Sequence, residues 1–150
     1  PITILFITHQ MEVAKTLFDK IAVMDQGKLV EVGSSYDIFA RPQSNAAKNL
    51  INKSFDGAVP QEVLDHEHSL YLITFKEENA YEAVISEVSR RFAHTDLSII
   101  AGNIEYIQQK PLGRLLISLR GHDKAEIDSV LSFLKEKAYV HEFTGVVANV

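Results

Sequence analysis

Residues 69–147 alternate between extended apolar segments and amphipathic helical patterns, in the order strand, helix, strand, strand, helix, strand. The predicted strands are Ser69–Phe75, Asp96–Gln108, Arg114–Arg120 and Tyr139–Val147. Between them, apolar residues recur every three or four positions, at Tyr81, Val84, Ile85, Val88 and Phe92 and again at Ile127, Val130, Leu131 and Leu134. This order predicts an α+β fold of the ferredoxin-like type, an antiparallel four-stranded sheet with both helices on one face.

The third predicted strand shows which face each side chain occupies. Leu115, Ile117 and Leu119 alternate with the polar set Arg114, Ser118 and Arg120, and Leu116 breaks the alternation. We expect the apolar set to face the two helices. The polar set then lies on the opposite face, which must meet solvent, a ligand or a partner. The Pro111-Leu112-Gly113 segment predicts the turn before this strand.

Composition places the chain among globular proteins. Of its 150 residues, 46% are hydrophobic and 23% are charged, and the formal net charge is −5. This balance argues against intrinsic disorder, and the acidity argues against a nucleic-acid binder. No apolar run approaches the roughly 18 residues of a membrane helix. Cysteine is absent, which excludes disulfides and thiolate sites and fits a cytosolic protein.

Charge divides the chain into two segments. Residues 1–60 carry 6 basic and 6 acidic side chains, whereas residues 61–150 carry 9 basic and 14 acidic ones. We therefore predict a first unit over 1–52, a linker over 53–67 and a second unit over 68–150. His66 and His68 flank Glu67, and we interpret them as linker polarity and predict no metal site.

The first segment has a mixed strand and helix pattern. Ile2–Ile7 is a continuous apolar run, typical of a strand buried in a parallel sheet, and a helical pattern follows over Met11–Phe18. A hairpin is predicted around the turn Asp25–Lys28. Two short helices should follow, one capped by Ser34 or Ser35 and ending near Phe39, the other capped by Ser44 and ending near Ile51.

Two motifs of this segment resemble the end of the nucleotide-binding domain of ABC transporter ATPases. They are Thr8-His9-Gln10-Met11-Glu12 and the hairpin Met24–Gly33, and the resemblance covers about residues 1–52. It implies that His9 is the switch histidine, a catalytic residue that donates a hydrogen bond to a γ-phosphate oxygen and positions the attacking water. We expect the chain to be a piece of a longer protein, because it opens without Met inside a strand-like run.

The other parts of an ATPase site are absent from the 150 residues. No G-x-x-x-x-G-K-[ST] loop, no ABC signature motif and no strand ending in Asp-Glu is present. The family's cofactors, ATP and Mg, would be held by those parts. We therefore expect no cofactor in this chain and no ATP hydrolysis by the chain alone, although the whole protein would be an ATP-hydrolysing translocase.

Residues 68–150 resemble the NIL domain, an extension of methionine-import ABC ATPases that is related to ACT-type amino-acid sensors. The order of elements, their position after an ATPase segment, Arg90-Arg91-Phe92 and the stretch Ile99–Tyr106 carry this resemblance. It implies the ATP-binding subunit of a D/L-methionine importer, cytoplasmic and peripheral on the inner face of the membrane, with permease subunits as partners. The C-terminal domains would form a homodimer that binds L-methionine and inhibits uptake.

An amino-acid ligand needs polar groups for its charged end and an apolar slot for its side chain. Ser98 and Asn103 can supply the polar groups, Gly102 permits close approach of the backbone, and Ile100 or Leu116 can line the slot. Ser98 and Asn103 have opposite parity, so both serve one site only if a β-bulge intervenes, which Gly102 makes possible. Two alternatives stay open, a purely structural dimerisation domain and a sensor of another amino acid.

Overall fold

The structure is a computed structural model that describes residues 2–56, 62, 65, 69–75, 77, 79 and 82–143. The elements of the first segment are α1 (Met11–Leu17), β1 (Lys20–Asp25), β2 (Lys28–Ser34), α2 (Ser35–Ala40) and α3 (Asn45–Asp56). Those of the second are β3 (Leu70–Phe75), α4 (Val84–Arg91), β4 (Thr95–Ile107), β5 (Lys110–Gly121), α5 (Lys124–Lys137) and β6 (Tyr139–Glu142). Tyr81, His66, His68 and residues 144–147 lie outside the described residues.

The second segment forms one antiparallel sheet with the strand order β4-β5-β3-β6. In chain order its elements read βαββαβ, so the predicted ferredoxin-like fold is confirmed. Leu115, Ile117 and Leu119 face the helices, as their alternation predicts. They pack in a core with Ile73, Phe75, Val84, Val88, Val130, Phe133 and Leu134.

The opposite face of the sheet is not open, contrary to the expectation for Arg114 and Ser118. Arg114 is 2% exposed and Ser118 1% exposed, and Arg120 alone of the polar set is exposed. The first segment packs on part of this face, and the two segments share a cluster made of Ala14, Tyr36, Phe39, Ala40, Ile51, Ile107 and Leu112. Apolar side chains of both segments are removed from water when they pack together here, which explains why the face is covered.

The turn between β4 and β5 lies earlier than predicted. It is formed by Gln108 and Gln109, whose φ angles are +52° and +66°, and Pro111-Leu112-Gly113 belongs to β5. Ile107 pairs with Lys110 next to this two-residue turn, so Tyr106 and Pro111 form a pair of the non-hydrogen-bonded type. Proline is tolerated there because that position needs no N–H donor.

The hairpin and helix caps of the first segment follow the sequence closely. β1 and β2 pair across a turn in which Gly27 has φ +76°. The Ser34 hydroxyl accepts a hydrogen bond from the Asp37 N–H at 3.0 Å, and the Ser44 hydroxyl accepts one from the Ala47 N–H at 3.1 Å. α3 continues past the predicted end at Ile51, since no Gly or Pro interrupts it before Gly57.

Ile2–Ile7, predicted as a strand, pairs with no strand among the described residues, and its side chains are exposed. A strand is stabilised by hydrogen-bonded neighbours, and the described part of the chain places none beside this run. In the same part of the chain, no helix combines the length and apolarity needed to cross a membrane.

Candidate functional site

A β-bulge in β4 decides which side chains share a face. Ile99 lies opposite Ile117 on β5 and Ala101 lies opposite Leu116, so Ile100 is one extra residue in β4. The bulge required by the parity of Ser98 and Asn103 is therefore present, although it lies at Ile100 and not at Gly102. It turns both polar side chains to the face opposite the helices.

Ser98 and Asn103 lie apart along that face. Ser98 pairs with Ser118 and Asn103 pairs with Arg114, and four residues of an antiparallel strand span about 14 Å. The two side chains cannot therefore both contact the small charged end of one amino acid. They lie at the two ends of a strip in which Ile100 and Ala101 are the intervening apolar side chains.

The proposed apolar slot is largely filled. Leu116 is fully buried in a cluster with Leu70, Leu72 and Phe143, and Ile100 packs against that cluster while remaining partly exposed. A ligand on this face would meet Ile100 first, with Leu116 as the layer beneath it.

Gly102 lies on the helix-facing side, opposite Leu115. A Cβ at this position would lie 2.9 Å from the carbonyl oxygen of Arg114 and closer still to the Leu115 side chain, so only glycine fits. Gly102 and Asn103 line a cavity of about 290 Å³ whose other walls include Phe75 and Ile85. This volume is close to the lower limit of small-molecule pockets.

Ser98 lines a different cavity, of about 420 Å³, which it shares with Thr95 and Arg120. The structure therefore distributes the five predicted ligand residues over one edge strand and its neighbour. Ile100 and Leu116 are brought together on the face opposite the helices, Gly102 faces the helices, and Asn103 and Ser98 lie at opposite ends of the strip.

Glu105, which no sequence motif singles out, has hydrogen-bond or ion-pair contacts with three side chains on this face. Its Oε2 lies 2.8 Å from Lys15 Nζ on α1, and its Oε1 accepts a hydrogen bond from Asn103 Nδ2 at 2.9 Å and another from Arg114 Nη2. We call Lys15, Asn103, Glu105 and Arg114 the Glu105 cluster. The pairing of β4 with β5 indicates part of the Glu105 cluster, since Arg114 lies opposite Asn103 and diagonal to Glu105.

The Glu105 cluster keeps its carboxylate ionised. Burial raises the pKa of Glu105, but the hydrogen bond from Lys15 and the charge and hydrogen bond of Arg114 outweigh it and lower that pKa to about 2. Lys15 is only 7% exposed and also pairs with Glu12 Oε1 at 2.6 Å. Two cations and two carboxylates thus balance one another where α1 meets the sheet.

Further hydrogen bonds join the two segments. The Tyr36 hydroxyl donates to the Pro111 carbonyl oxygen at 2.9 Å and accepts from the Glu77 N–H at 3.0 Å. His141 Nε2 lies 3.2 Å from Asn52 Oδ1, and burial together with the nearby charge of Lys48 lowers the pKa of His141. These contacts span 41 to 89 positions of sequence and place α2 and α3 against the sheet.

His9, the candidate switch histidine, is exposed and lies two residues before α1 begins. The adjacent Thr8 hydroxyl accepts a hydrogen bond from the Gln10 N–H at 3.0 Å, which shapes the entry into the helix. α1, the helix that follows His9, carries Lys15. Among the residues that the structure describes, Lys15 is the side chain of α1 that forms an ion pair with Glu105.

Comparison with known proteins gives a family match. Residues 69–142 match the model of the NIL domain. The chain is 35% identical over 138 residues to the methionine import ATP-binding protein MetN 1 of Bacillus licheniformis, which covers 91% of the chain and 40% of that protein. It is 37% identical over 137 residues to the protein of the same name from Oceanobacillus iheyensis, again with 91% and 40% covered.

A third relative, the methionine import ATP-binding protein MetN of Corynebacterium diphtheriae, is 33% identical over 145 residues, covering 94% of the chain and 42% of that protein. The chain thus spans about two fifths of the length of the curated relatives it matches. The crystal structure of the C-terminal domain of an ABC transporter ATP-binding protein from Enterococcus faecalis superimposes on 61% of the chain, covering 99% of that domain, with 24% identity and a TM-score of 0.46.

The predicted resemblance is confirmed: residues 69–142 match the NIL domain, and over most of its length the chain is similar to methionine import ATP-binding proteins.

Proposed function

We propose that this chain is the regulatory C-terminal part of the ATP-binding subunit of a D/L-methionine ABC importer. In this proposal its NIL domain binds cytosolic L-methionine and pairs with the NIL domain of a second copy. Occupancy then holds the ATPase halves apart and inhibits uptake when the methionine pool is full. A ligand acts in this way only through its different affinities for the two states of the transporter.

One observation carries the ligand part of the proposal, the bulge at Ile100. Because of it, Ser98, Ile100 and Asn103 lie on one face of the edge strand β4. The strip has a hydroxyl at one end, an amide at the other and an apolar side chain between. This arrangement suits an amino acid with an apolar side chain, whose charged end binds at one polar group.

The free edge of β4 supports the pairing of two copies. β4 is the outer strand of the sheet, and three large apolar side chains on its helix-facing side are exposed, namely Ile99, Ile104 and Tyr106. An exposed apolar edge strand is a template for pairing with another chain. A second copy placed there would lie beside the strip, whose end residues Ser98 and Asn103 are exposed.

In this proposal the first segment belongs to the ATPase, which its similarity to the relatives named above supports. In the whole protein His9 would act as the switch histidine, and ATP and Mg would be bound by parts other than these 150 residues. The partners would be the permease subunits, with the protein peripheral on the inner face of the membrane.

Two other functions differ from this proposal in their ligand. A purely structural dimerisation domain would bind no amino acid, and a sensor of another amino acid would use the same strip with different selectivity. The partial filling of the slot by Leu116 favours a ligand with a slender side chain, which agrees with methionine.

Calorimetric titration of the chain with L-methionine, L-leucine and L-glutamine tests the proposal. We expect saturable heat with methionine, and a loss of affinity in Asn103→Ala but not in the control Asn49→Ala, which changes an exposed residue of α3. Stronger binding of leucine or glutamine would favour the other sensor. Absence of heat with all three would favour the structural domain.

A further inference from the structure

In the Glu105 cluster, one carboxylate contacts both the candidate ligand residue Asn103 and Lys15 of the helix that follows His9. Asn103 Nδ2 donates to Glu105 Oε1 at 2.9 Å, and Lys15 Nζ lies 2.8 Å from Glu105 Oε2. α1, which carries Lys15, begins two residues after His9. One side chain of β4 is therefore in direct contact with both the proposed ligand strip and the helix that positions His9.

Charge gives this contact a direction. Glu12 and Glu105 balance Lys15 and Arg114 in the present arrangement. The carboxylate of an amino acid held at Asn103 adds a negative charge next to Glu105, and it is tolerated because both cations are in place. If α1 moves away and takes Lys15 with it, Glu105 loses one of its two cationic partners. The Glu105 carboxylate then repels the carboxylate of the same ligand.

We propose that Lys15 couples ligand occupancy at Asn103 to the position of α1, so that an amino acid bound there holds α1 against the sheet. Coupling is reciprocal. Lys15 strengthens ligand binding, and the ligand strengthens the contact between Lys15 and Glu105 by the same factor. Held in this way, α1 restrains His9, so the contact is a direct route from the regulatory sheet to the ATPase segment. This inference rests on the proposed amino-acid site.

The test variant is Lys15→Met, which removes the charge and keeps most of the apolar stem. The fold should tolerate it, since Glu105 keeps Arg114 and Asn103, and the adjacent Ala14 keeps its place in the shared apolar cluster. The matched control is Lys20→Met, at an exposed lysine of β1. Circular dichroism and thermal unfolding of both variants establish that they are folded before any ligand is added.

Two measurements on the 150-residue chain then decide the matter. By calorimetry we expect Lys15→Met to bind L-methionine at least about fivefold more weakly than the native chain, the lower end of measured coupling, with Lys20→Met unchanged. By hydrogen exchange we expect L-methionine to slow the exchange of α1 amides in the native chain and in Lys20→Met, but not in Lys15→Met.

Equal affinity of the native chain and Lys15→Met, with unchanged exchange in α1, would overturn the coupling and leave the methionine site standing. Absence of methionine binding by the native chain would instead overturn the proposed function, and the coupling with it. A fivefold loss that also appears in Lys20→Met would overturn the coupling, because a general loss of positive charge would then explain it.

Discussion

Tyr36 and Pro111 join the two segments of the chain. The Tyr36 hydroxyl donates to the Pro111 carbonyl oxygen at 2.9 Å and accepts from the Glu77 N–H at 3.0 Å, so one phenol serves two backbone groups of the sheet domain. The aromatic ring lies in the cluster that both segments share. This arrangement makes the contact between the segments measurable with a single conservative substitution.

Tyr36→Phe removes the hydroxyl and keeps the ring. We expect it to lower the free energy of unfolding by about 1 to 2 kcal/mol, because two partly buried backbone groups lose their partner. The matched control is Tyr139→Phe, whose hydroxyl makes one longer bond, 3.5 Å to the Pro42 carbonyl oxygen, and whose loss should cost less than about 0.5 kcal/mol. Urea unfolding measures both. Equal stabilities of native chain and Tyr36→Phe would mean that the segments do not pack as described.

Glu105→Gln should destabilise the chain by about 2 to 3 kcal/mol near neutral pH, since it leaves Arg114 buried beside an uncharged partner. The folded-state pKa of Glu105 is about 2, below its ordinary value of 4.5. Its charge therefore stabilises the fold fully above pH 4.5, and this contribution declines as the pH falls towards 2. The difference between native and variant stability should shrink over that window.

Urea unfolding at several pH values between 7 and 2.5 measures the effect. The control is Glu87→Gln, which removes a pair with Arg91 at 2.6 Å on the surface of α4 and should cost no more than about 0.5 kcal/mol. Parallel pH profiles for the native chain and Glu105→Gln would contradict the assignment of a lowered pKa to Glu105.

Gly102→Ala should destabilise the chain by about 1 to 3 kcal/mol, because the added methyl group overlaps Leu115 and the Arg114 carbonyl oxygen. Gly113→Ala in the neighbouring strand is the control. A Cβ there meets Phe75 Cβ at 3.5 Å, an ordinary contact, and should be tolerated. Thermal unfolding distinguishes them, and a reversed order of stabilities would contradict the described β4–β5 register.

Gln109→Gly should stabilise the chain by about 0.5 to 1 kcal/mol. Gln109 has φ +66° at the second position of a two-residue hairpin turn, a left-handed conformation that costs a side-chain-bearing residue more than it costs glycine. An increase in the midpoint of thermal unfolding is expected. A decrease would place the turn elsewhere, for example at the Pro111-Leu112-Gly113 segment that the sequence favours.

Local patterns in the sequence predict the sheet domain well. The alternation of Leu115, Ile117 and Leu119 indicates the helix-facing side, and the opposed parity of Ser98 and Asn103 calls for a bulge that the register contains. The turn at Gln108 and Gln109 escaped prediction because neither residue favours a positive φ, whereas the nearby proline and glycine are strong turn signals.

Contacts between the segments could not be predicted. Lys15 and Glu105 are 90 positions apart, and Tyr36 and Pro111 are 75 positions apart. Periodicity identifies the buried face of an element but not its partner, so it predicts an open sheet face at Arg114, whereas the structure buries that residue. The same limit applies to the candidate site, where the role of Glu105 depends on a lysine in the other segment.

Chemical-shift mapping of the ¹⁵N-labelled chain during titration with L-methionine tests the central claim most directly. We predict saturable shifts of the backbone amides from Ser98 to Asn103 and of the Asn103 side-chain amide, with smaller shifts in α1. Shifts that are absent from Ser98–Asn103 up to millimolar methionine, or that are confined to residues away from β4, would contradict the account.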